Sequence, residues 1–350
     1  MNISTGLRAP GVKAALLAAL LFGAATPLAK PLLVHDSPWM IAALLYLGSG
    51  AGLFIYRRVT NAPEVTLPRT EAVWFAGAVL SGGVVAPVLL MLGLKAAPAS
   101  SASLLLNAEG VLTALLAWFV FKENVDRRIA LGMAAIVAGA LMLAWPEGRR
   151  HAPLWSTLAI LGACLAWGVD NNLTRRISLN DGAWIASVKG LAAGSTNLVL
   201  AWCAGAALPG LPVIAGAALL GFLAYGVSLT LFVLGLRHLG TARTGAYFAT
   251  APFLGALIAL AGGEHVTGQL LVAGFLMGTG IWLHLTEAHS HEHAHEEIEH
   301  EHEHTHDDPH HIHHHDEAIA PGTKHSHRHR HARLKHTHAH FPDTHHQHRH

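Results

Sequence analysis

Charge is scarce in this chain: 13% of its residues are Asp, Glu, Lys or Arg, against roughly 25% in soluble domains. With half the usual charge and 52% hydrophobic residues, most of the chain has no water to face. Cysteine is scarcer still. Cys164 and Cys203 both fall inside apolar segments, so there is no disulfide framework and no Cys-x-x-Cys metal spacing. Both read as small buried packing residues. A nucleophile motif, a glycine-rich phosphate loop and a His-Glu-x-x-His pair are also missing, which argues against an enzyme.

The few charges are unevenly placed. Residues 1–286 are apolar segments with short charged joints, whereas residues 287–350 hold almost no apolar run and 24 of the 29 histidines. The chain therefore divides near Thr286 into a membrane body and a tail. The body reads as ten apolar segments: 11–30, 37–56, 72–94, 98–121, 128–145, 154–175, 183–204, 212–235, 239–262 and 267–286. Each is close to the about 20 residues that cross a bilayer. Each must satisfy its own backbone in lipid, so each is expected to be a helix. The joints carry breakers or charge, as at Lys30-Pro31, Arg57-Arg58 and Lys122-Glu123-Asn124. Arg8 and Lys13 before the first apolar run mimic a signal peptide. The many spans that follow make this segment the first of them instead.

Basic residues set the expected orientation. With a cytoplasmic N-terminus and ten spans, the inner side holds Arg8, Lys13, Arg57, Arg58, Arg69, Lys122, Arg127, Arg128, Arg175, Arg176, Arg237 and Arg243; the outer side holds Lys30, Lys95, Arg149 and Arg150. Twelve against four is a positive-inside bias. It predicts that both termini are cytoplasmic; the expected location is the inner or plasma membrane of a bacterium.

An internal repeat accompanies the spans. Gly93-Leu94-Lys95 before the fourth segment matches Gly235-Leu236-Arg237 before the ninth, and Phe22-Gly23 in the first sits where Trp167-Gly168 sits in the sixth. The matched long segments end near Lys122-Glu123-Asn124 and Gly263-Glu264-His265. Five spans per half is an odd number, so the halves would be inverted, with a solute site near the midplane between them. These features resemble the EamA-like branch of the drug/metabolite transporter superfamily over about residues 11–286, excluding the tail. The resemblance implies an all-α integral membrane fold: ten transmembrane helices as an inverted 5+5 repeat (11–145 and 154–286), a central cavity and alternating access. The chain departs from the family's apolar or proline-containing stretch midway along the fourth helix, carrying Asn107-Ala108-Glu109 there; Thr250-Ala251-Pro252 in the second half keeps the usual pattern.

Polar groups inside the spans are the candidate solute or ion pathway. Glu109 lies near the middle of the fourth segment, where a carboxylate must be paired, hydrated or protonated, which suits a proton-coupling group or a cation ligand. Asp170, Asn171 and Asn172 cluster in the sixth segment, and Lys189 in the seventh sits at a similar depth, so an Asp170–Lys189 ion pair is expected, either structural or at the inner mouth of a cavity. Asn107 joins the candidates; Asn197, Tyr247 and Arg243 are weaker ones. Trp118, Trp145, Trp155 and Trp184 fall near span ends as interfacial anchors, and Glu123 and Glu264 as loop charges.

The tail is expected to be disordered, since it has too little apolar surface for a core. Its acid-rich first block carries His289, His291, His293 and His295, then His300, His302, His304 and His306, then His310, His311, His313, His314 and His315. Neutral imidazoles beside carboxylates suit Zn, Ni, Co or Cu. An Arg-rich block with His325, His327, His329 and His331 follows and should hold cations less well. Mixed spacing distinguishes the tail from a purification tag, and its position beside a membrane argues against a nucleic-acid partner. No cofactor is required. The expected partners are the lipid bilayer and a small solute or metal ion, with the chain a monomer or homodimer. Three functions stay open: a divalent transition-metal exporter, an organic metabolite, amino-acid or drug exporter whose tail buffers metal, and a membrane-anchored metal sensor.

Overall fold

The structure is a computed structural model. It describes residues 10–65, 67–121, 127–145, 153–175, 177, 181–239 and 241–285, and in the tail 290–294, 298–304, 325–331 and 335–339. The chain separates into two compact units, Met1–Glu287 and Ala288–His350.

The first unit is helical among the described residues. Its elements are α1 (Pro10–Ala29), α2 (Pro38–Val59), α3 (Arg69–Ala78), α4 (Ala86–Ala96), α5 (Ala99–Leu105), α6 (Ala108–Phe121), α7 (Arg127–Ala144), α8 (Leu154–Arg175), α9 (Gly182–Cys203), α10 (Leu211–Gly221), α11 (Ser228–Leu239), α12 (Thr241–Phe248), α13 (Ala251–Ala261) and α14 (Gly268–Leu285). A π-turn at Val79–Val85 runs α3 into α4, and another at Phe222–Val227 runs α10 into α11. Short breaks at Leu106–Asn107 and Ala249–Thr250 divide α5 from α6 and α12 from α13. The helical stretches fall on the ten apolar segments. Their starts follow local chemistry: Pro38 sits in the first turn of α2, where its missing N–H is not needed, and Asp181 caps α9 by accepting from the N–H groups of Ala183 and Trp184.

Six stretches among the described residues are long and apolar enough to cross a membrane, and Ala251–Ala261 and Gly268–Leu283 are shorter apolar helices. The helices α8 and α9 have 22 residues each, ample length. Asp170, Asn171 and Asn172 lie within α8, and Lys189 and Asn197 within α9.

Packing recurs in corresponding pairs. Contacts of α1 with α11 and α13 are matched by contacts of α8 with α4 and α6, while α2 packs on α9, α7 on α14 and α5 on α13. Glycine allows the closest of these approaches. A Cβ on Gly190 would meet the Cα and N of Gly50 at 2.8 Å, so α2 and α9 touch backbone to backbone. Leu45, Leu90, Met91, Leu94, Leu105 and Ile160 fill the interior, while large apolar residues such as Phe119, Leu131 and Phe275 are exposed, as lipid-facing positions are. Cys164 is buried, but Cys203 at the end of α9 is exposed and so is not the buried packing residue expected.

The tail unit is described at four short segments. It contains β1 (Ser290–Ala294), β2 (Ile298–His304), β3 (His325–His331) and β4 (Lys335–Ala339), with β1 antiparallel to β4 and β2 antiparallel to β3. In the β2–β3 register Glu299 stands opposite Arg330 and Glu301 opposite Arg328.

Candidate functional site

The site is organised by α8. Successive helical residues step by about 100° around the axis, so Asp170, Asn171 and Asn172 reach different neighbours. Asp170, buried at 4% exposure, pairs with the Lys189 ammonium on α9 and accepts from the Thr174 hydroxyl at 2.9 Å. Asn171 donates to Glu109 Oε1 at 2.9 Å and to Thr113 Oγ1 at 3.3 Å, both on α6. Asn172 donates to the Thr113 carbonyl at 3.2 Å and to the Gly168 carbonyl at 2.8 Å. This close crossing uses Gly168: a Cβ there would lie 3.2 Å from the Thr113 nitrogen.

The π-turn between α3 and α4 shapes the opposite wall. The carbonyl of Gly82 accepts from the Tyr46 hydroxyl at 2.9 Å and from Trp167 Nε1 at 3.0 Å. A side chain at Gly82 would overlap the Asp170 carboxylate, so this glycine makes room for the ion pair. Beside the pair lies a cavity of about 130 Å³ lined by Tyr46, Ser49, Ala186, Lys189, Gly190 and Tyr225. The rings of Tyr46 and Tyr225 are 5.7 Å apart, and Tyr225, within the second π-turn, meets Phe22 edge-on at 5.9 Å. A cation, two phenols and a hydroxyl thus face one small space, with a carboxylate behind the cation. Glu109 is partly exposed and Asn171 exposed.

Asp170 and Lys189, 19 positions apart, come together, as do Glu109 and Asn171 across 62. Asn107 does not join them. It is buried, donates to the Leu104 carbonyl at 2.9 Å and approaches Met277 Sδ on α14. The break after α5 turns it away while Glu109 opens the first turn of α6. Asn197 is buried and donates to the Gly83 carbonyl at 3.2 Å. Trp118, Trp145 and Trp155 are exposed, whereas Trp184 stacks on Phe75 at 5.8 Å. Of the tail candidates, His291, His293, His300, His302 and His304 lie on β1 and β2; His289, His295, His306, His310, His311, His313, His314 and His315, like Glu123, lie outside the described residues.

Contacts at both bundle ends were not expected. Glu264 accepts from the N–H groups of Ala99 and Ser100 at 2.6 and 2.8 Å and from the Ser100 hydroxyl at 2.6 Å, so it caps α5 from the far half of the chain and is not a loose loop charge. Nearby, Lys30 donates to the carbonyls of Leu94 and Ala97 at 2.5 Å each. At the other end, Arg57 pairs with Asp181. Desolvation there pushes the Asp181 carboxyl up, but hydrogen bonds from Arg57 and the Trp184 and Ala183 N–H groups outweigh it and hold the carboxyl below its usual range. A helix-capping glutamate has no local sequence mark when its target lies 165 residues away.

Known proteins agree with this architecture. The chain is 27% identical over 289 residues, 76% of its own length and 83% of the relative's, to an uncharacterized transporter of Methanothermobacter thermautotrophicus. A solved crystal structure matches with a TM-score of 0.59 at 21% identity, covering 78% of this chain and 95% of that one, which shows a shared fold. Residues 9–145 match the EamA-like transporter family. Over residues 9–145 the chain thus resembles the EamA-like transporter family, and over most of its length it is similar to an uncharacterized transporter.

Proposed function

We propose that the helical unit is a secondary-active transporter of the drug/metabolite type. It moves a small organic solute by alternating access, while the histidine-rich tail binds transition metal as a buffer or sensor. The observation that carries this is the cavity beside the Asp170–Lys189 pair, with the Glu109 carboxylate of α6 held by Asn171, the residue after Asp170 on α8. Polar groups within membrane spans mark solute and proton paths. The two π-turns, the two helix breaks and the recurring contacts support inverted five-helix halves with a site between them. The positive-inside bias supports cytoplasmic termini. Glu109 takes and releases the coupling proton, and the Lys189 ammonium and the Tyr46 and Tyr225 phenols face the solute.

Lys189 on the cavity wall repels a bare divalent cation, and Asp170 is already neutralised, so the body favours an organic solute with an anionic group over a metal ion. Transition-metal export remains the second reading because 24 histidines follow the last helix. Purified full-length protein in vesicles separates them. Uptake of labelled amino acids and organic anions is compared with uptake of Ni, Co and Zn, with and without a pH gradient. Gradient-dependent movement of an organic solute is expected. Movement of metal alone overturns the organic reading, and movement of neither overturns transport.

A further inference from the structure

The helices α2 and α9 line the cavity and also meet at either side of it. Tyr46 and Ser49 come from α2, and Ala186, Lys189 and Gly190 from α9. At this depth the two backbones touch. A Cβ on Gly50 would lie 2.5 Å from the Leu191 nitrogen, and Ser187 Oγ donates to the Gly50 carbonyl at 3.1 Å. Toward one end, the start of α2 joins the end of α9 through an apolar cluster that includes Met40, Leu44 and Ala201. Toward the other end, the end of α2 meets the start of α9 through charge. The Arg57 guanidinium pairs with Asp181, and its second arm donates to the Pro63 carbonyl at 2.6 Å. At about 1.5 Å of rise per residue, Arg57 stands about 12 Å beyond Ser49 and Asp181 about 7.5 Å before Ala186.

We propose that the Arg57–Asp181 pair is the gate at one mouth of the cavity. Closed, it holds the ends of α2 and α9 together; open, it lets water and solute reach Ser49 and Lys189. This rests on the alternating access put forward above. The pair joins α2 of the first half to α9 of the second, so rocking one half against the other separates its partners. It breaks readily. Its side chains are 11% and 34% exposed, and an ion pair that water reaches contributes little. Asp181 also keeps its bonds from the Ala183 and Trp184 N–H groups when Arg57 leaves, so α9 stays capped with the gate open or shut. The contact at Gly50 and Gly190, which has no interlocking side chains of its own, is the pivot.

The test follows a thiol on the cavity wall and needs no solute. Full-length protein carrying Ser49→Cys with Cys203→Ala is placed in sealed vesicles, and a membrane-impermeant maleimide is added to one face or the other. The parent's Cys203, exposed at the far end of α9, identifies the face opposite the gate. Arg57→Gln and Asp181→Asn should each speed labelling of the introduced thiol from the gate face by about 1.4–5-fold, the equilibrium factor matching an ion pair that water reaches. Neither should raise the rate from the Cys203 face. Salt at about 1 M, which cuts the screening length to about 3 Å, should speed gate-face labelling of the chain with Arg57 intact and leave Arg57→Gln unchanged. Ala186→Cys, on the α9 wall of the cavity, repeats the measurement should Ser49→Cys fail to fold. Rates that stay unchanged when Arg57 or Asp181 is replaced, or that rise equally from both faces as in a loosened bundle, overturn the gate. The uptake assay above judges transport separately: absent uptake with the gate-face response intact removes the transporter reading and leaves the gate.

Discussion

Removing the Lys189 ammonium while leaving Asp170 in place strands a carboxylate in the bundle. Asp170 is 4% exposed, and beyond Lys189 it has the Thr174 hydroxyl at 2.9 Å. One hydroxyl does not replace a counter-ion. Breaking a buried ion pair from one side destabilises by about 3–5 kcal/mol, so Lys189→Met should lower Tm by roughly 6–10 °C at the ~2 °C per kcal/mol expected for a chain of this size. Asp170→Asn should do the same by leaving the ammonium unpaired. The paired Asp170→Asn/Lys189→Met variant removes both charges and should recover to within ~1 kcal/mol of the parent. Thermal unfolding in mild detergent reads these differences, and solute uptake in vesicles reads function on the same samples. The paired variant should fold and yet fail to transport, which separates holding the bundle together from handling the solute. If both single variants melt with the parent, or the paired variant melts no higher than the singles, buried charge pairing is not what stabilises this site.

Three further outcomes follow from named contacts. Glu109→Gln keeps an oxygen that can accept from Asn171, so expression and melting should stay at parental values while gradient-driven uptake is lost; parental flux would make Glu109 structural. Glu264→Ala removes the acceptor for Ala99 and Ser100, and should cost about 0.5–2 kcal/mol in thermal unfolding, the range for a lost N-terminal cap; an unchanged Tm would contradict the capping role. Asp181, held below the usual carboxylate range in the folded state, contributes stability that is present above the unfolded value of about 3.9 and fades as pH falls through the folded value. The stability advantage of the parent over Asp181→Asn, which keeps a capping side chain, should therefore stay constant from neutrality to about pH 4 and shrink below; growth of the difference on acidification would reverse the sign.

Hydropathy located the helices because lipid acts on every residue of a span. The α2 and α7 helices begin within one residue of the expected starts at 37 and 128. Depth counting also placed Asp170 near Lys189, since both are measured from span ends. What hydropathy averages away was not legible. The π-turns at Val79–Val85 and Phe222–Val227 change the backbone without changing polarity. The break at Leu106–Asn107 sends Asn107 toward α14 and leaves Glu109 on the side of α8, a split that spacing alone does not reveal. Glu264 resembled a loop charge because its partners belong to the other half of the chain. In the tail, β1 pairs with β4 and β2 with β3 across blocks that are far apart in the sequence, well beyond the 2–5-residue loops of simple hairpins, so no local turn signal marks the pairing.

The central claim is that the helical unit moves an organic solute by itself, with the tail acting on metal from outside the pathway. Counterflow exchange in vesicles holding protein truncated after residue 287 tests it most directly. Exchange of the organic solute at the full-length rate, abolished by the paired Asp170→Asn/Lys189→Met change, is the predicted result. Loss of all exchange on truncation, with full-length protein exchanging Ni, Co or Zn instead, would contradict it.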